Sequence, residues 1–376
     1  MKEIFSNEQM LAVNTAKSFV DKEIIPIASE MEEKGEFPRK EFKKLSDLGF
    51  AGITCPVEYG GSEMDTVTYV AVLEQISRGW IALGGALSVH TMVEELLLKH
   101  GNQEQKSRYL QKMCSAELIG AIAMTEVDAG SDVSAIRSSA VVKDGGYLLN
   151  GNKIFITTGG EAELYLVLFR TGRERKNTSI FIVEKETEGF SFGKKEKKMG
   201  YHSSPTRELI FENCFVPAEN LVGQLGEGLK VILSALNSGR IGVAAMSVGV
   251  SQAAFDYALS YARQRVQFGK PIVEFQGIQF MLADMAVSIA AARELVYKAA
   301  RLKDLGRKFD MEAAMAKLFA SDTAMKVTTD AVQILGGYGY IKEYPVERYM
   351  RDAKMLQIVE GTNQIQRLVI ARNLPE

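Results

Sequence analysis

Glu360 stands in MLQIVEGT, behind Met355, Leu356, Ile358 and Val359 and ahead of Gly361. A carboxyl group in such company meets little water, and desolvation raises its pKa toward the range where it can take a proton near neutrality. Its chemistry would be that of a general base. A solvated glutamate at a helix end satisfies the same residues, since most carboxylates are surface groups.

Three other stretches carry polar groups at suggestive spacing. AMTEVDAGSDVSA, residues 123–135, offers the hydroxyls of Thr125 and Ser131 beside small Ala129 and Gly130, which allow a flat ring or a phosphate to approach the main chain; a plain turn needs the same residues. In KIFITTGG, residues 153–160, Phe155 and Thr157 share strand parity and could hold a ring edge or merely pack. In RQRVQFGKPIVEFQ, residues 263–276, Arg265 could meet an anion or complement a helix C-terminus. No GxGxxG is present, so a dinucleotide would need another cradle. His90, His100 and His202 are the only histidines, and none stands at HxxxH or HxxE spacing with another ligand, so no metal site is expected.

The elements that must position these groups change in texture along the chain. Met10, Val13, Ala16 and Phe19, then Tyr69, Val72, Leu73 and Ile76, recur at helical steps, which predicts an α-helical N-terminal domain over 1–118, interrupted by the Pro/Gly loop CPVEYGGS at 55–62. Short β-rich runs at 164–171, 178–185 and 208–217, with Asp144-Gly145 as the left-handed pair of a hairpin, predict a middle antiparallel sheet, barrel or sandwich over 119–224. Ile278, Met281, Leu282, Met285, Ile289, Ala292, Val296 and Ala299 then form one stripe, and Asp310 is placed to cap a further helix ending at Gly336-Gly337. That pattern predicts a C-terminal helical bundle over 225–376. The expected class is α+β.

The chain has 376 residues, 45 basic and 47 acidic side chains and no dominant Lys/Arg block, so a nucleic-acid partner or an acidic membrane surface is not expected. Cys55, Cys114 and Cys214 form no framework, and no continuous run of eighteen apolar residues occurs; a soluble intracellular protein acting on a small molecule is expected.

Taken together, AMTEVDAGSDVSA and QILGGYGYIKEYPVERYMRD (333–352), in this order and within an α-β-α texture, resemble the two signatures of the acyl-CoA dehydrogenase family, and the resemblance spans essentially the whole chain. It implies an N-terminal helical domain, a middle β domain, a C-terminal four-helix bundle and bound FAD. By motif, Ile122, Met124, Thr125, Gly130 and Ser131 would line one side of the flavin and Phe155, Ile156 and Thr157 the other. Arg265, Gln267, Phe275, Gln276, Gln333, Gly336 and Gly337 resemble positions that reach the FAD of a neighbouring subunit, with Thr362 and Gln364 completing the set, which implies a homotetramer built as a dimer of dimers. Glu360 falls on the family's catalytic base, taking the C2 proton while hydride leaves C3 for the flavin to give a trans-2-enoyl-CoA. Its backbone N–H and a ribityl hydroxyl would act as the oxyanion donors. Ser131, Asn237, Arg240, Gly361 and Arg372 resemble positions near the CoA thioester and its arm. Electron-transferring flavoprotein would be the redox partner. The setting would be the cytoplasm, or the mitochondrial matrix for a processed eukaryotic protein, in β-oxidation or branched-chain amino-acid breakdown.

Some relatives carry the base one residue before the equivalent of Arg240; here that residue is Gly239. Val127-Asp128 replaces the usual Pro-Gly, Phe155 the usual Trp, Val359 a frequent Tyr and Asn237 a frequent Asp. Residues 88–101 and 191–214 with NSGRIG look most like short and branched-chain members such as butyryl- and isobutyryl-CoA dehydrogenases. A cyclic or dicarboxylyl acyl-CoA, an acyl-CoA oxidase and a flavin-binding assembly protein without turnover are the alternatives.

Overall fold

In the computed structural model, which describes residues 5–374, side-chain caps start several helices. Ser6 and Gln9 form a reciprocal capping box at α1 (Asn7–Phe19), as do Asn102 and Gln105 at α6 (Gln103–Cys114), and Asp65 accepts from Thr68 N–H at α4 (Thr66–Gly79). The N-terminal region also holds α2 (Ile25–Lys34), α3 (Arg39–Asp47) and α5 (Ile81–His100).

The chain then turns to strands: β1 (Gly120–Ala123), β2 (Ser139–Lys143), β3 (Gly146–Thr157), β4 (Leu164–Arg170), β5 (Thr178–Glu184), β6 (Phe190–Lys195), β7 (Thr206–Pro217) and β8 (Leu221–Val222). They form one sheet in the order β6-β7-β3-β2-β4-β5-β8, with β1 on β4. The sheet is mostly antiparallel, but β1 runs parallel to β4, and β2 meets β4 in parallel through Ser139 and Arg170. The purely antiparallel expectation fails here because the β2–β3 hairpin is inserted between β1 and β4. The chain therefore returns to β1 in its original direction, over the long connection a parallel pair requires. At the hairpin itself Lys143 pairs with Gly146, and of the two turn residues only Gly145 has a left-handed φ, 79°.

The C-terminal region contains α7 (Gly228–Gln264), a small hairpin of β9 (Val266–Gln267) and β10 (Lys270–Pro271), α8 (Gln276–Asp304), α9 (Asp310–Leu335), α10 (Val346–Leu356) and α11 (Asn363–Arg372). α7, α8 and α9 pack on one another, α10 lies across α7 and α9, α11 packs on α9, and α4 of the first region lies against α7. Phe309, not Asp310, occupies the cap of α9. Asp310 is its first helical residue, where its charge still complements the helix dipole while its carboxylate accepts from Asn237 Nδ2 at 2.7 Å. α5 and α7 are long and apolar enough to cross a membrane by length and composition; 83% and 78% of their most apolar windows are buried in the fold, which accounts for that composition.

One loop joins the three regions. Glu32 of α2 accepts from the His202 and Ser203 N–H groups and from Trp80 Nε1, while Asp352 of α10 accepts from Tyr201 N–H at 2.5 Å. Both carboxyl groups are buried. Burial, and then the charge of Glu32, push Asp352 up to about 7. Elsewhere Cys55, Glu94 and Cys114 are buried with their donor atoms within 4.8 Å of one another.

Candidate active site

α10 stops at Leu356 and α11 begins at Asn363, where Thr362 Oγ1 accepts from Ile365 N–H. Between them Glu360 and Gly361 are both left-handed, with φ of 53° and 87°. For a glutamate that conformation costs on the order of 1 kcal/mol, so the surroundings must hold it. They do so through the carbonyl oxygens. Gln366 Nε2 donates to the Glu360 and Gly361 carbonyls at 3.1 and 2.7 Å, Lys317 Nζ to Gly361 at 3.0 Å, and Arg240 Nε approaches Glu360 O at 3.5 Å. Among the described residues the Glu360 N–H has no acceptor.

The Glu360 side chain reaches Gly239 of α7, where Met92 of α5 also packs. Oε2 is buried with no hydrogen-bond partner. A Cβ built on Gly239 would lie 2.8 Å from that oxygen and 2.7 Å from Met92 Sδ, so only glycine leaves room there. Burial pushes the carboxyl up to about 7, against the opposing pull of Arg240 and Lys317. Arg240 is itself buried, held below its usual pKa by desolvation, and its Nη1 donates to Asn237 Oδ1 at 2.7 Å. A carboxyl group that ionises near neutrality, with an unengaged oxygen and an unpaired N–H on the same residue, can accept a proton while donating to an oxygen that gains charge.

The β region supplies a second group. Ile154 N–H donates to Thr125 O at 2.9 Å, which sets the Met124–Thr125 segment beside the end of β3. The β3–β7 ladder shifts register between Lys153 and Ile156, and there Phe155 takes a φ of 57° with its ring 61% exposed. Ile156 turns into the core while Phe155 and Thr157 flank it on the outer side. Gly130 and Ser131 are exposed just after the tight loop that pairing of Glu126 with Ala129 closes.

Two residues of this group escaped the sequence reading. Buried Lys153 donates to Glu126 Oε1 at 2.7 Å and to Met124 O at 3.3 Å, and Glu126 also accepts from the Arg137 and Ser138 N–H groups at 2.6 and 3.1 Å. The signal was a glutamate next to Thr125 and a lysine opening KIFITT, charged residues within otherwise apolar or small runs.

A third group lies at the tips of α7 and α9. Arg265 and Gln267, with Gly336, Gly337, Tyr261 and Tyr338, line a cavity of about 470 Å³. The Arg265 guanidinium sits 5.4 Å over the Tyr338 ring. Gly336 combines φ 62° with ψ −135°, a conformation essentially confined to glycine, and a Cβ on either glycine would meet nothing within 4 Å. Phe275 and Gln276 start α8 beside this hairpin and Gln333 is exposed on the last turn of α9. A guanidinium, open glycine main chain and aromatic rings fit a phosphate-bearing aromatic ligand such as FAD. Gln364 and Arg372 are exposed on α11, and among the described residues neither side chain bonds to the Glu360 group.

Residues 6–117, 121–214 and 226–374 match the family models described as the N-terminal, middle and C-terminal domains of acyl-CoA dehydrogenase. The chain is 50% identical to an acyl-CoA dehydrogenase of Bacillus subtilis over 372 residues, 98% of each protein. Its structure is similar to that of butyryl-CoA dehydrogenase from Megasphaera elsdenii, with 42% identity, 98% of each chain covered and a TM-score of 0.96. A chain from a structure of the electron transferring flavoprotein of Acidaminococcus fermentans is similar at 46% identity, with the same coverage and TM-score.

Proposed function

The chain belongs to the acyl-CoA dehydrogenase family of FAD-dependent oxidoreductases, and we propose that it desaturates short straight or branched acyl-CoA thioesters between C2 and C3, with Glu360 as the base. The observation that carries this reading is the Glu360 carboxyl itself, with Oε2 buried and unpartnered and with a pKa raised to about 7 by desolvation. Its carboxylate takes the C2 proton. The C2–H of a thioester is only weakly acidic, so the carbonyl oxygen must be stabilised as charge builds; the unpaired Glu360 N–H is the chain's own donor for that oxygen.

Bound FAD would supply the hydride acceptor for C3, with an electron-transferring flavoprotein as the redox partner. Ile122, Met124, Thr125, Gly130, Ser131 and the Phe155–Thr157 bulge would hold its ring, and the cavity at Arg265, Gln267, Gly336 and Gly337 the phosphates and adenosine of a second subunit's cofactor. One observation supports the shared site: Phe268, Phe280 and Tyr340 expose 94%, 60% and 85% of their surface on the hairpin, α8 and the turn after α9. A dimer of dimers would cover them. Arg240, Asn237, Ser131 and Gly361 would face the thioester and CoA arm, with Arg372 further out. Met92 meets the same point at Gly239 as the Glu360 carboxyl and would bound the acyl pocket there, which favours a short acyl chain in a soluble, cytoplasmic enzyme.

Anaerobic titration of the yellow holoenzyme with butyryl-, isobutyryl-, octanoyl- and cyclic acyl-CoA tests this. Bleaching by the short thioesters, and none by any thioester in Glu360→Gln that still carries FAD, is the expected result. Bleaching retained by Glu360→Gln would remove Glu360 as the base.

A further inference from the structure

Lys317 lies in the N-terminal third of α9, fully buried, and its Nζ donates to the Gly361 carbonyl at 3.0 Å and to Asn363 Oδ1 at 2.8 Å. Among the described residues it forms no ion pair at contact distance. Taking an ammonium out of water is unfavourable unless fixed dipoles or an opposite charge compensate it. Here the dipoles are the turn that carries Glu360, and a nearby opposite charge is the Glu360 carboxylate. We propose that Lys317 is a positioning residue for the base: it clamps the left-handed Glu360–Gly361 turn through the Gly361 carbonyl and supplies the buried positive charge that favours ionised Glu360.

The clamp is continuous with the helix that bears it. Asn363, which receives the Lys317 ammonium, donates its own amide to Ser321 Oγ and Asp322 Oδ1 at 3.0 and 2.7 Å, so the turn is tied to α9 at successive levels. The charged groups facing Lys317 are Glu360 from the turn, Asp322 from α9 and Arg240 from α7; Arg367 of α11 reaches Asp322. Burial draws the ammonium down to about 7, the same region as Glu360. The two groups are therefore placed to titrate against each other, and removing the cation leaves Glu360 harder to ionise.

This inference rests on Glu360 acting as the base, and the test separates the two. Deuterium exchange at C2 of butyryl-CoA in D2O is followed by mass spectrometry on dithionite-reduced holoenzyme, where no hydride can leave, across a pH series. FAD content and thermal melting are recorded beside it. Lys317→Gln keeps an amide donor for the turn and removes the charge. Its exchange profile should rise at a pH higher than wild type by about half a unit or more, with exchange on the acid side falling roughly threefold or more. Lys317→Arg keeps the charge and should rise where wild type does, even if slower. A Lys317→Gln profile that overlays wild type, or a Lys317→Arg profile that shifts with it, overturns the proposal. Glu360→Gln should show no exchange, and persistent exchange there would sink the base assignment as well.

Discussion

Gly239 on α7 lies against the Glu360 carboxyl: a Cβ there would stand 2.8 Å from Oε2. The position that would carry an alternative base thus faces the same point in space as the base this chain has. Gly239→Ala must displace either the carboxyl or Met92, and overpacking of this kind costs about 1–3 kcal/mol. Stopped-flow reduction by butyryl-CoA should slow by roughly tenfold or more with FAD still bound. An unchanged rate would mean that the carboxyl is not held where it reacts.

Met92 Sδ meets that same point, 2.7 Å from a Cβ built on Gly239. Met92→Ala should move the preferred substrate toward longer chains, raising the ratio of hexanoyl- to butyryl-CoA efficiency by about tenfold, the discrimination a few methylenes provide in an apolar pocket. Steady-state kinetics with both thioesters check it.

Ionised Glu360 opposes the fold. Its folded pKa is raised from 4.5 to about 7, so the native state holds the proton more tightly than the unfolded chain. The stabilisation from that proton is complete below about pH 4.5 and is lost as pH rises through about 7. Glu360→Gln, which cannot ionise, should therefore be more stable than wild type by on the order of 2–3 kcal/mol at about pH 8 and nearly equal to it at about pH 4. Urea melts at the two pH values decide; a stabilisation independent of pH would contradict the cause assigned. Reduction by acyl-CoA should show the opposite trend, rising with pH through about 7.

Lys153 and Glu126 hold the Thr125 loop to β3 from a buried position. Lys153→Met leaves the carboxylate without its cation, a loss of about 3–5 kcal/mol. FAD should be lost at a lower temperature than from wild type, followed by flavin fluorescence on heating. Retention to the wild-type temperature would show that the pair does not support the loop.

Phe268 is almost wholly exposed at the tip of the hairpin that follows Arg265. In the proposed dimer of dimers, Phe268→Asp should give smaller species in sedimentation, and those species should have lost most of their FAD. Arg265→Ala should lose FAD by about tenfold in affinity with the assembly intact, since a charge-assisted contact is worth about 1.5–3 kcal/mol.

The layered order of helices, strands and helices was legible because apolar period alone records it. Met10, Val13, Ala16 and Phe19 bury one face of α1 as their spacing requires, with Met10 half-covered. Neither parallel pairing was legible: strand direction depends on where the chain returns, and nothing in GAIA or LYLVLFR encodes it. At Glu360 the sequence showed an apolar setting. It did not show the left-handed turn, because glutamate gives no local signal for a φ of 53° that is enforced by Gln366 and Lys317. Phe155 is similar, since parity placed it on a face but only the register shift explains its exposure.

The loop at Tyr201–Ser203 has a consequence for how the chain is made. Its two carboxylate partners, Glu32 and Asp352, come from opposite ends of the polypeptide, and Tyr201 lies 151 residues before Asp352. During synthesis the strands emerge long before α10, so the loop that seats them on the helices cannot close until α10 is free. A chain cut off before residue 352 would leave the Tyr201 N–H without its buried acceptor and expose the faces that α10 covers, so the sheet and the helices on either side of it are completed together rather than one after another.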